Sequence, residues 1–132
     1  MDKKQEKLKY KASRRPMGVF LIRNLVNGKV FVGSSMNLDA MFNLIRFQLY
    51  AGAHPTKALE NDWKRYGAGQ FEFEVLEEVL PREDHAYDYA ADLETLEDLW
   101  LEKLKPYGDK GYNEIKKTPE ERLRMIAAKR KI

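Results

Sequence analysis

The sequence predicts one α+β domain, and three observations carry that prediction. Residues 17–35, MGVFLIRNLVNGKVFVGSS, hold two apolar runs, Val19–Ile22 and Val30–Val32, on either side of Asn27-Gly28. Residues 70–79, QFEFEVLEEV, alternate apolar and acidic side chains. Elsewhere the apolar residues recur at three- and four-residue steps, the period of a helix with one buried face. Along the chain the elements read β-β-α-α-β-α, and 132 residues suit a single domain.

The first pair of strands is a hairpin. Asn27-Gly28 offers the two positive-φ positions of a two-residue type I′ turn, with Asn24 and Lys29 as polar shoulders and Gly18 and Gly33 closing the ends. Ser35 or Asn37 then caps a helix to about Ala51, with Gly52 just past its end. Its apolar residues form two arcs: Leu38, Met41, Phe42, Ile45 and Leu49 in one, Ala40, Leu44 and Phe47 in the other. A helix apolar on two sides is either sandwiched in the core or left with a face that binds something.

After His54-Pro55, Thr56 caps a shorter helix with Leu59 and Trp63 on one face and Gly67 at its stop. In the strand that follows, Phe71, Phe73 and Val75 oppose Glu72 and Glu74, so one face is wet. Pro81 breaks the chain before a long helix from about Glu83 to Lys105, with a buried stripe of Leu93, Leu96, Trp100 and Leu104. Pro106-Tyr107-Gly108 ends that helix, and Gly111-Tyr112-Asn113 begins a short extended piece. Thr118-Pro119-Glu120-Glu121 is a capping box with proline at the first helical position, opening a terminal helix to about Lys129.

Charge divides the chain into three parts. Residues 1–16 are a basic arm of net +5, residues 17–113 an acidic body of net −6, and residues 114–132 a basic helix of net +4. This partition assigns any nucleic-acid contact to the ends. The residues concerned are Lys3, Lys4, Lys7, Lys9, Lys11, Arg14 and Arg15 in the arm, and Lys116, Lys117, Lys129, Arg130 and Lys131 at the other end. The plain alternative is that lysine-rich ends are only solvated. No apolar run approaches the ~18 residues of a membrane helix, and the start of the chain lacks the apolar core of a secretory signal. The absence of cysteine excludes disulfides, thiolate chemistry and cysteine-zinc sites, and a cytoplasmic protein is expected. His54 and His85 are too far apart to suggest a metal site and read as structural or solvated.

Gly18-Val19-Phe20 and Phe31-Val32-Gly33, joined through NLVNGK, resemble the two signature tripeptides of the GIY-YIG nuclease family, Gly-Ile-Tyr and Tyr-Ile-Gly. The likeness covers roughly residues 17–113. It includes Ser34-Ser35, Asn37-Leu38, the segments HPTKALENDWKRYG, FEFEVLEEV and LEDLWLEKLKP, and the closing Gly-Tyr-Asn. It implies a small three-stranded antiparallel sheet flanked by helices. The tail TPEERLRMIAAKRK also resembles the short DNA-binding modules appended to intron-type members of that family.

In the resembling nucleases two tyrosines, a helix arginine, often a histidine, a glutamate and an asparagine cleave DNA around one divalent metal ion. Carried over, the tyrosine positions are Phe20 and Phe31, and the arginine position, three after Leu38, is Met41. The histidine position is Ile45, while Glu97 and Asn113 match. Phenylalanine has no hydroxyl to donate or deprotonate, and methionine cannot offset charge developing on a phosphate. Glu97 alone is a poor magnesium ligand set. Arg23, His54, Lys57 and Tyr112 are possible recruits, whereas Arg46 lies about 140° around the helix from Met41 and points away.

The resemblance therefore implies a nuclease-like domain with a depleted active site, which binds nucleic acid or protein without cleaving and needs no cofactor. Its former cleft would be apolar and open to a protein partner or to self-association. Two alternatives stay open. One is an active endonuclease that uses recruited residues with Mg2+ or Mn2+; the other is a protein-interaction module with no nucleic-acid role.

Overall fold

A computed structural model of the protein describes residues 16–82, 87–115 and 119–130. The apolar runs form strands β1 (Met17–Asn24) and β2 (Val30–Ser35), paired antiparallel from Gly18↔Ser35 to Arg23↔Val30. Strand β3 (Phe71–Val79) pairs antiparallel with the other side of β1, giving the sheet order β2-β1-β3. The architecture is α+β, with the three-stranded antiparallel sheet that the sequence led us to expect.

Both faces of the sheet are covered, which explains why β1 is apolar at consecutive positions rather than alternate ones. Helices α1 (Leu38–Ala51) and α2 (Lys57–Tyr66) bury Leu38, Ile45, Leu49, Leu59 and Trp63 against Phe20, Ile22 and Phe71. Helix α3 (Ala90–Leu104) lays Leu101 on the opposite face, against Val19, Leu21, Val30 and Val32. Helix α4 (Pro119–Arg130) exposes Leu123, Met125 and Ile126. Thr118, the expected cap of α4, and His85 lie outside the described residues.

Several local expectations are met by their own chemistry. Asn37 caps α1 through Oδ1, which accepts from the Ala40 N–H at 3.1 Å, and Gly52 closes the helix in a left-handed conformation. Others are corrected. The hairpin connection is five residues, Leu25–Lys29, in which Gly28 alone takes a positive φ, 77°. Tertiary bonds override the two-residue turn: Asn24 Oδ1 accepts from the Val26 N–H, and the Leu25 N–H donates to Gln70 O. Thr56 occupies the N-cap position of α2 without a side-chain capping bond.

Helix α3 begins at Ala90, not near Glu83. Side-chain bonds hold the preceding residues out of the helix, with Asp88 Oδ1 accepting from the Ala90 N–H and Tyr89 Oη from the Arg82 N–H. Its buried residues are Leu93 and Leu101, while Leu96, Trp100 and Leu104 are only partly covered. Val75, expected on the buried face of β3, is 49% exposed. A register shift against β1 between Val19 and Phe20 leaves the edge strand open there.

One polar network ties the ends of the fold together. The Tyr112 hydroxyl donates to Asp62 Oδ2 on α2 at 2.6 Å and accepts from Asn24 Nδ2 at 3.0 Å. Asn24 is fully buried, so its amide has no water to fall back on. Burial, reinforced by Asp62, pushes the Tyr112 phenol up to about 12, which keeps it neutral and donating at physiological pH. Tyr112→Phe strands the Asn24 amide and should lower stability by about 1–3 kcal/mol in urea unfolding. An unchanged midpoint would show that the network does not hold the hairpin to α2.

Candidate functional site

A solvent-open cleft of about 430 Å³ lies where β1 and β2, helix α1, the His54–Thr56 turn and helix α3 meet. All six positions that the sequence singled out line it: Phe20, Phe31, Met41, Ile45, Glu97 and Asn113. They come from four separate elements and the extended piece after α3, at opposite ends of the body, so the fold alone brings them together.

The aromatic pair forms the floor. Phe20 lies opposite Gly33 in the sheet, and a Cβ on Gly33 would stand 2.6 Å from the Phe20 Cζ. Only glycine lets the ring lie there. The para carbon, where tyrosine carries its hydroxyl, is thus packed against the β2 backbone, and Phe20 is 2% exposed. Phe31 stands 6.4 Å from Phe20 between ring centroids, and Phe42 closes on Phe20 edge-on at 5.5 Å. Met41 is half-buried on α1 and Ile45 fully buried. The cleft therefore presents hydrocarbon where hydroxyls and a guanidinium would be needed to handle a phosphate.

The retained Asn113 is occupied structurally. Its Oδ1 accepts from the Val32 N–H at 2.8 Å and its Nδ2 donates to Val32 O at 2.8 Å, the two bonds that a neighbouring strand would make. Glu97 is partly buried on α3, and Glu114 joins it in the lining. Sequence reasoning missed Glu114, whose one signal was its place directly after Asn113.

Of the possible recruits, His54 alone lines the cleft. It is 3% exposed and stands edge-on to Phe31 at 5.8 Å. Its Nδ1 accepts from the Thr56 N–H at 3.0 Å, so the neutral ring carries its proton on Nε2. Burial lowers its pKa and keeps it neutral. The ring thus offers a donor, not a base. The backbone N–H of His54 donates to Glu60 Oε2 at 3.1 Å. Burial alone would raise the Glu60 carboxyl, but hydrogen bonds from Lys57 and Lys64 outweigh it and hold the group below its ordinary value.

The other recruits are engaged elsewhere: Arg23 pairs with Glu74 at 3.5 Å, Lys57 with Glu60 at 3.3 Å, and Tyr112 with Asn24 and Asp62. Arg46 stacks over Phe73 at 4.2 Å, away from the cleft as expected. The residues present do not fit a divalent metal. Glu97, Glu114 and His54 share the lining, yet no group of three or more acidic or histidine side chains that could hold an ion occurs among the described residues. Lys3, Lys4, Lys7, Lys9, Lys11, Arg14, Arg15, Lys116, Lys117 and Lys131 lie outside the described residues, as do the side chains of Lys129 and Arg130.

The fold has counterparts among solved structures. The chain is similar to the catalytic domain of the homing endonuclease I-TevI, with a TM-score of 0.63 and 25% identity over 76% of this chain and 99% of that one. It is equally similar to a glutamate-to-alanine mutant of that domain, described as an intron endonuclease, with a TM-score of 0.64 and 26% identity over 78% and 97%. No family model matches the chain. The fold is GIY-YIG-like. No helix among the described residues is long and apolar enough to cross a membrane.

His54 gives the site a pH signature. Its folded pKa lies below the ordinary 6.5, so protons bind the unfolded chain more readily. The stability it contributes is complete above pH 6.5 and declines as the pH falls below that value. Glu60, whose pKa is also lowered, acts below its ordinary 4.5, in a separate window. Urea midpoints should therefore fall between neutral pH and about pH 5, and His54→Gln should flatten that slope. Equal slopes in parent and variant would contradict the buried neutral imidazole.

Proposed function

We propose that the protein is a nuclease-fold domain that has lost cleavage and binds nucleic acid through its basic ends. The observation that supports this most is the lining of the cleft by Phe20, Phe31, Met41 and Ile45 together. Phosphodiester cleavage develops negative charge that hydroxyls, cations or a metal must meet, each contributing several kcal/mol. Among the described residues no lysine or arginine lines this cleft, and its charged members, Glu97 and Glu114, repel a phosphate. The body as a whole carries −6, which pushes a polyanion toward the two basic ends. The likeness to a homing-endonuclease catalytic domain makes DNA the natural partner. No cofactor is called for, and the setting is cytoplasmic.

A second reading, an active endonuclease, is favoured only by His54 and Glu97 sharing the cleft. The Thr56 N–H opposes it, since a histidine whose Nδ1 is already occupied exposes a proton rather than a lone pair. A protein-interaction module without a nucleic-acid role is the third.

Labelled single-stranded, duplex and branched DNA with Mg2+ or Mn2+ separates the three. The expected result is retardation at low salt that weakens steeply as salt rises, with no cleavage product. Metal-dependent product that disappears in Glu97→Ala would overturn the non-cleaving reading. Absence of binding at any salt would overturn the nucleic-acid part and leave the interaction module.

A further inference from the structure

The second apolar arc of α1 is not sandwiched in the core. Ala40, Leu44, Phe47 and Ala51 are all exposed, Leu44 by 48% and Phe47 by 69%. Steps of four, three and four residues keep them within about 60° of one another around the helix, a straight seam of the kind that pairs helices. The order along the seam is small, large, large, small, so it reads the same from either end.

That symmetry selects the occupant. In an antiparallel pair of α1 helices, Ala40 faces the partner's Ala51 and Leu44 faces the partner's Phe47. Alanines at both ends let the axes approach to the ~8–10 Å of close helix packing, while the large side chains interleave in the middle. Such a two-fold contact uses one patch twice and needs no second complementary surface. Asn43 falls opposite the partner's Gln48, amide against amide.

Charge points the same way. The body's net −6 makes two copies repel across most of their surface. Helix α1 is the exception: its only charges are Asp39 and Arg46, of opposite sign, in a chain that is 34% charged. A nucleic acid would find little here, since Arg46 is the helix's one cation and is stacked on Phe73.

We propose that the protein associates as a two-fold symmetric dimer through antiparallel pairing of its α1 helices. Leu44 belongs to the cleft lining, so the partner's Phe47 stands at the cleft mouth and narrows it. The contact is small: 14 residues of helix extend about 21 Å, short of what a ~1,200 Å² interface requires. Association is therefore concentration-dependent in the micromolar range. This inference is independent of whether the cleft cleaves.

Sedimentation equilibrium of the full chain across micromolar concentrations tests it. A monomer–dimer equilibrium is expected, weakened about 100-fold or more by Phe47→Glu, which buries a charge twice in one interface. Leu99→Glu, on the α3 surface where Leu99 is 61% exposed, should leave it unchanged. Phe47 is exposed, so at concentrations below the dimer range the thermal melt of its variant should match the parent. The chain has no cysteine, so Ala40→Cys mixed with Ala51→Cys should give the mixed disulfide in preference to either homodisulfide under mild oxidation. A strict monomer, a dimer indifferent to Phe47→Glu, or a dominant Ala40→Cys homodisulfide would overturn the proposal. The first of these would assign the seam to a different protein.

Discussion

The outer edge of β2 is closed by one residue's amide. Asn113 exchanges two hydrogen bonds with Val32, and the neighbouring Tyr112 N–H donates to Val30 O at 2.9 Å. An unpaired strand edge is a liability, and this segment supplies the missing ladder without a fourth strand. Fixing the backbone there also fixes the Tyr112 ring, whose hydroxyl bridges Asn24 on β1 and Asp62 on α2. Hairpin, helix and chain end are thus locked by a few bonds, and one wall of the cleft is set as a result.

Asn113 has a structural task in this fold. Whatever it does in the resembling nucleases, here both ends of its amide are committed to the backbone. The positions around it serve packing: Phe20 seals against Gly33, Phe42 closes over it, and Ile45 is fully buried. Burying hydroxyls and a guanidinium without partners is costly, and hydrocarbon at the same places avoids that cost. The charged and titratable groups lining the cleft are two carboxylates and a neutral imidazole, beside the polar side chains of Ser34, Gln48, Thr56 and Asn113. The cleft mouth borders the uncharged seam of α1.

Much of the fold was legible because its signals are local. Asn37 and Gly52 bound α1 through capping chemistry that acts within a few residues, and the apolar runs of β1 and β2 fixed the hairpin. What escaped local reading depends on distant partners. The hairpin turn answers to Gln70, and the start of α3 to side chains that compete with the helix for its backbone. The helix stripe gave Leu96 and Trp100 but missed Leu101, because periodicity does not fix which way a helix is rotated on a sheet. The six cleft positions came from the resemblance, not from any periodicity, and the fold gathers them. Tyr112 stood as a possible recruit because nothing nearby in sequence shows that its hydroxyl is held by Asn24 and Asp62.

Whether the cleft holds a metal ion can be observed without any substrate. In a titration of the full chain with Mn2+ followed by amide NMR, signals near a bound ion broaden first. The proposed non-cleaving reading predicts only diffuse broadening across the acidic surface, with Glu97, Asn113 and Glu114 no more affected than exposed acids such as Asp109. Saturable broadening confined to those three residues and absent from Glu97→Gln would contradict it, and would mean that the cleft still holds a catalytic ion.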